Sequence, residues 1–120
     1  MRILVCEDDQ ALLSMISFKL IRENMGEVVK VQDGREALEM LKKDAFDLVI
    51  TDIHMPFHSG LEVVTALREQ DSSNPPIIVL SAGGLEETVL QAFDLGANDF
   101  ITKPFSPAEL MVRVKRLLRP

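Results

Sequence analysis

A chain of 120 residues, 47% of them hydrophobic, is long enough for one domain with its own core and too apolar for a disordered tail. A net charge of −6 excludes a general electrostatic field for nucleic acid, and six Phe with no Trp or Tyr leave no base-stacking platform. Lone Cys6 has no partner for an internal disulfide, no signal peptide opens at Met1, and no apolar run reaches spanning length. A cytoplasmic protein without membrane or direct nucleic-acid contacts is expected.

Ile3, Leu4, Val5 and Cys6 form an apolar run that breaks into Glu7, Asp8 and Asp9. This pattern predicts a buried strand ending in carboxylates, with Cys6 as a small core residue. Asp9 suits a helix N-cap. A helix to about residue 24 follows, with Leu12, Leu13, Ile16 and Leu20 on one face and Phe18 opposite. Gly26 is the expected C′ residue. Val28, Val29 and Val31 mark a second strand over 27–32, and Asp33-Gly34 a turn. Ala37, Leu38 and Leu41 place a helix over 35–43.

Leu48, Val49 and Ile50 lead into Asp52, and Pro56 prevents continuation of the strand. Ser59 and Glu62 have capping-box spacing for a helix to about residue 70, followed by a loop over 71–76. Ile77 to Leu80 make a fourth strand ending at Ser81. Ala82, Gly83 and Gly84 form a flexible turn before a helix over 86–95, closed by Gly96. A short strand over 99–102 ends at Lys103. Ser106 as N-cap and Pro107 at the first helical position open the last helix. Five strands alternating with five helices predict an α/β domain, residues 1–120, built on one doubly wound parallel sheet.

Four of these strands end in polar groups: Glu7 with Asp8, Asp52, Ser81 and Lys103. The carboxyl ends of parallel strands share one rim, where ligands of open α/β sheets bind. Close carboxylates repel unless a cation sits among them, and a set of oxygen ligands with retained water suits Mg²⁺. A carboxylate beside such an ion and a Lys is equipped to attack a phosphoryl group. Taken alone, Asp52 is as well a cap or turn residue, Ser81 a turn residue and Lys103 a solvated charge. His54 and His58 lack a third ligand and read as surface residues.

Together these residues resemble the receiver domains of two-component response regulators over essentially the whole chain. The match comprises the Glu7-Asp8 pair, Asp52 to Pro56 with Gly60, Ser81-Ala82, and Lys103-Pro104-Phe105. The resemblance implies a flavodoxin-like fold with strand order 2-1-3-4-5. It implies Asp52 as phosphoacceptor, fed by a sensor histidine kinase or a histidine phosphotransfer protein. Asp8, Asp52 and the Ile53 carbonyl would ligate Mg²⁺, or Mn²⁺ in its place, with Glu7 acting through water. Lys103 would contact the phosphoryl group, with a cis bond to Pro104. Ser81 and Phe100 match the positions that rearrange on phosphorylation, and His54 the position that tunes phosphoryl lifetime.

The domain would then be a self-catalysing phosphoacceptor with slow dephosphorylation, not a multiple-turnover enzyme, acting through helix 4, strand 5 and helix 5. The last helix resembles receivers of winged-helix transcription factors, which dimerise on that face through ion pairs. Asp99, Glu109, Arg113 and Lys115 fit such a homodimer. Val89 and Gln91 stand where a basic residue is usual, and Asn98 where an acid is. The end at Pro120 suits either a stand-alone receiver or a piece of a longer regulator. The alternative is a phosphorylation-independent interaction module of the same fold. A phosphatase with an Asp nucleophile would want a second acid at His54, and a flavin carrier would not place Glu7-Asp8-Asp9 in its phosphate loop.

Overall fold

The computed structural model describes residues 1–70, 74–83 and 86–118. Part of the loop expected at 71–76, Gly84 of the glycine turn and the end of the chain at Arg119 lie outside the described residues. Strands and helices alternate as β1 Arg2–Cys6, α1 Gln10–Arg22, β2 Glu27–Val31, α2 Gly34–Lys43, β3 Leu48–Asp52, α3 Gly60–Gln70, β4 Ile77–Ser81, α4 Glu86–Leu95, β5 Asp99–Thr102 and α5 Pro107–Leu117. The strands are parallel and ordered β2-β1-β3-β4-β5, the order that the resemblance implies.

Successive side chains of a strand point to opposite faces, and each face has its own core. Leu4, Cys6, Val49 and Val79 pack with residues of α2, α3 and α4, among them Leu41, Val64, Leu67 and Ala92. Ile3, Val5, Ile50 and Leu80 pack with Leu13, Ile16 and Leu20 of α1 and Leu110 and Val114 of α5. Each such Leu or Ile contributes about 1.5–3 kcal/mol relative to exposure. Strands β3 and β4 are buried at every position, whereas β2 is half-exposed, as an edge strand should be. The uninterrupted apolar runs in the sequence are therefore the two-sided burial of a covered parallel sheet.

The helix ends follow the chemistry of their caps, with two differences from expectation. Helix α1 stops at Arg22, and its left-handed C′ residue is Asn24, at φ 56°, rather than Gly26. The amides of Asn24 and Met25 donate to Ile21 and Leu20, closing the turn. Gly26, at φ 133°, has another role: a Cβ there would lie 2.4 Å from the Met1 carbonyl oxygen. Asp33 is the N-cap of α2 rather than a turn residue, accepting from the Glu36 amide at 2.8 Å, so that Gly34 opens the helix. Asp9 and Ser106 cap α1 and α5 as expected, and Ser59 with Glu62 forms the capping box of α3.

At the rim opposite the strands' carboxyl ends, one side chain ties several elements together. Arg68 of α3 donates to the carbonyls of Gly96 and Pro75 and to Asn98 Oδ1. Asn98 Oδ1 also accepts from the Ile77 amide at 2.8 Å. The amide side chain at 98 thus serves the start of β4 from within the chain.

At the functional rim the decisive packing is at Gly60. Its amide donates to the Ile53 carbonyl at 2.7 Å, and a Cβ would fall 2.1 Å from the Asp52 carbonyl oxygen. Gly60→Ala is expected to destabilise the domain by about 1–3 kcal/mol, the usual effect of overpacking. A lower urea midpoint with unchanged slope would register it.

Candidate functional site

The parallel register brings the ends of β1, β3, β4 and β5 to one level. Cys6 pairs with Thr51, Asp52 with Leu80, and Ser81 with Thr102. The next residues continue the ladder: the amides of Glu7, Ile53 and Lys103 donate to the carbonyls of Val31, Leu80 and Ser81. Glu7, Asp52, Ser81 and Lys103 are thereby assembled by strand pairing alone.

Ligand oxygens of Glu7, Asp8 and Asp52 lie within 4.8 Å of one another. Glu7 and Asp52 are buried, while Asp8 is exposed, so the cluster has a buried floor and an opening to solvent. Two carboxylates at such separations repel by roughly 3–4 kcal/mol at an effective dielectric of about 20. The Lys103 ammonium partly offsets this, 2.8 Å from Glu7 Oε1 and 3.3 Å from Asp52 Oδ1. Its shorter contact is with Glu7. Glu7 Oε2 is fixed separately by the Asp9 amide at 3.2 Å.

One ammonium does not neutralise three carboxylates. Burial pushes the Glu7 and Asp52 carboxyls above their ordinary range, with Lys103 opposing the shift in both. Burial alone would lower Lys103, but Glu7 and Asp52 hold its ammonium above the usual lysine range. Apart from Lys103, Glu7 Oε1 and Asp52 Oδ1 have no partner among the described residues. Two buried carboxylate oxygens that share a single ammonium, plus an exposed carboxylate, fit a hard divalent cation with oxygen ligands. The Ile53 carbonyl, named by the resemblance as the backbone ligand, already accepts from Gly60.

The remaining predicted residues fall around this centre. Ser81 is buried, and its hydroxyl donates to the Gly83 carbonyl at 2.9 Å. Phe100 is half-buried against the core below α3 and α4. It pairs with Val79, two residues before Ser81 on the neighbouring strand, so Ser81 and Phe100 share one face of the sheet. The Lys103–Pro104 peptide is cis. His54 is exposed, and His58 Nδ1 lies 2.7 Å from Glu62 Oε2, away from the carboxylate cluster. Cys6 is buried and its thiol is pushed up to about 12, chiefly by burial, which leaves it an inert core residue.

The model of the response regulator receiver domain matches residues 3–115, and the chain belongs to that family. It is 37% identical over 117 residues to the transcriptional regulatory protein SrrA of Staphylococcus aureus, covering 98% of this chain and 47% of SrrA. The chain thus spans about half the length of the curated relatives it matches. Among solved structures, the BeF3-activated receiver domain of DrrB from Thermotoga maritima superposes with a TM-score of 0.88 at 35% identity, over 98% of this chain and 96% of that one. Chemotaxis response regulator CheY4 of Vibrio cholerae gives 0.89 at 33% identity, over 98% of both chains. No helix among the described residues is long and apolar enough to cross a membrane.

A carboxyl whose pKa rises on folding destabilises the native state when ionised. That penalty is absent below the unfolded pKa and grows as pH climbs through the folded one. Cation-free protein should therefore lose stability from Asp52 and Glu7 as pH rises above about 4. Asp52→Asn is expected to raise the unfolding temperature at neutral pH in chelator by about 3–6 °C, the shift that ~1 kcal/mol gives in a domain of this size. The difference should close at pH 4 and below, which thermal scans across pH will measure.

Proposed function

We propose that this domain is a phosphorylation-activated switch in which Asp52 takes a phosphoryl group from a phosphohistidine of a sensor kinase or phosphotransfer protein. The observation carrying this reading is the buried Asp52 carboxylate within 4.8 Å of Glu7 and Asp8, with Lys103 against it. An oxygen of Asp52 attacks phosphorus. The phosphorus–nitrogen bond breaks, the imidazole leaves with its electron pair and takes a proton from solvent, and an acyl phosphate remains on Asp52.

The chain's own residues prepare this step. Strand β3 fixes the nucleophile at the rim, and the exposed opening at Asp8 admits the donor. Lys103, its ammonium already beside Asp52, would bond an oxygen of the phosphoryl group. The Ser81 hydroxyl, bonded among the described residues only within its own turn, is available to donate to a phosphoryl oxygen. Asp8 and Asp52 would hold Mg²⁺ or Mn²⁺, with Glu7 behind a water. A backbone carbonyl of the loop after Asp52 would complete the set: that of Ile53, which keeps a second lone pair beside its bond from Gly60, or that of His54, the next along. When bound, the cation supplies positive charge that offsets the phosphoryl oxygens.

Movement of Ser81 toward the product would vacate space for Phe100 on the same face of the sheet, changing the surface of α4, β5 and α5. Biasing such an equilibrium from about 1:99 to 99:1 takes roughly 5.5 kcal/mol. Within this chain Arg113 is paired with Asp99 at 2.7 Å and with Glu109, while Lys115 reaches Glu23 at 2.9 Å. A homodimer through α4, β5 and α5 would therefore form by exchanging internal ion pairs for cross-subunit ones. Control of transcription from the cytoplasm, through a further domain, is the output we assign by analogy with SrrA.

Incubation with a small acyl phosphate and Mg²⁺ is expected to add one phosphoryl mass, lost in Asp52→Ala and in chelator. Absence of an Asp52-dependent gain would leave only an interaction module of the same fold. His54→Ala should change the half-life of the phosphorylated form without abolishing its formation. An unchanged half-life would remove His54 from the reaction.

A further inference from the structure

The loop between β3 and α3 holds an unusual residue. Phe57 has φ 72°, in the left-handed region that a bulky L-residue rarely enters. The His58 amide donates to the Pro56 carbonyl at 2.9 Å, so Phe57 is the centre of a γ-turn of the rare, positive-φ kind, which is strained. The side chain does not hide in the core: Phe57 is 65% exposed. Its ring is covered instead by the Arg35 guanidinium, 4.2 Å from the centroid. Arg35 has no carboxylate partner among the described residues.

Two further contacts join the same loop to the start of α2. The Gly34 amide donates to the Pro56 carbonyl at 3.0 Å. A Cβ on Gly34 would lie 2.1 Å from the His58 carbonyl oxygen, so this glycine permits the approach. The far end of the loop is fastened by Gly60 to Ile53. Between these fastenings runs the segment that follows Asp52. A strained conformation at a functional loop persists only where neighbours over-determine it, and here the Arg35–Phe57 stack is the neighbour contributed by side chains.

We propose that Arg35 and Phe57 brace the loop after the phosphoacceptor strand, and that this brace sets how tightly the acidic site takes a divalent cation. Both are positioning residues, acting through the loop backbone rather than touching the ion. The inference rests on the reading of Glu7, Asp8 and Asp52 as a cation-dependent phosphoacceptor site.

Calorimetric titration of the unphosphorylated protein with Mg²⁺ tests it. Arg35→Ala and Phe57→Ala should each weaken binding about 2- to 5-fold, the scale of an exposed cation–π contact, and the double variant no further. The sign is diagnostic, because removing a positive charge would by Coulomb's law alone strengthen cation binding. Phe57→Gly separates bracing from folding. It should unfold at a higher temperature, since glycine accepts positive φ without strain, yet bind Mg²⁺ as weakly as Phe57→Ala. Phe57→Tyr should restore wild-type affinity. If Phe57→Gly or Arg35→Ala keeps wild-type affinity, or the two alanine effects add, the brace is overturned. If the wild type itself neither binds Mg²⁺ nor gains a phosphoryl group at Asp52, the underlying site reading fails instead.

Discussion

Two buried carboxylates share one ammonium, and the rest of the rim is arranged around that imbalance. Glu7 and Asp52 are held at the ends of adjacent strands by the parallel ladder. Lys103 arrives from β5, on the far side of β4, and touches both. Attraction to Lys103 offsets part of the repulsion but leaves net negative charge in a poorly solvated place. A site with that deficit gains free energy from any added cation, and is chemically ready for an oxygen-rich anion that brings the cation with it.

The same imbalance explains why the cap residue and the acidic pair must be distinguished. Asp9 directs its carboxylate to the Leu12 amide, and its own amide to Glu7. It therefore serves both the start of α1 and the orientation of Glu7, without entering the cluster. Shifting the acidic pair by one residue would place Asp9 in the site and leave α1 uncapped, which is a local cost of about 1 kcal/mol before any electrostatic one.

Much of this was legible in the sequence, because the governing patterns are local. Continuous apolar runs gave the strands, apolar spacing the helices, and a polar residue after four of five strands gave the rim. Ser59 with Glu62 and Ser106 with Pro107 marked helix starts correctly, since capping joins residues three apart. Asn24 was missed because asparagine and glycine compete for left-handed positions, and the glycine nearby was needed for its approach to Met1. The contacts that escaped the sequence join residues far apart: Lys103 with Glu7, Arg68 with Gly96 and Asn98, Arg35 with Phe57. No spacing rule on one chain announces these. Phe57 does carry a weak signal, an aromatic residue just after a proline and before His58 and Ser59 in the loop that follows Asp52.

The fold also decides which element can report on the site. Among the described residues α4 buries a single side chain, Ala92, whereas each of the other helices buries two to four. Few buried apolar contacts mean a low free energy for local rearrangement. At its carboxyl end α4 is held by Gly96 and, through the Gly96 carbonyl, by Arg68. The Ser81 hydroxyl sits where β4 gives way to the turn before α4 and, among the described residues, bonds to Gly83 alone. In the proposed switch, a demand on that hydroxyl from the direction of Asp52 would fall on the least anchored helix rather than on the two cores. Leu90 and Phe93 of α4 are largely exposed, so a small reorientation there changes the apolar surface offered to a partner while the sheet that holds Asp52 stays as it is.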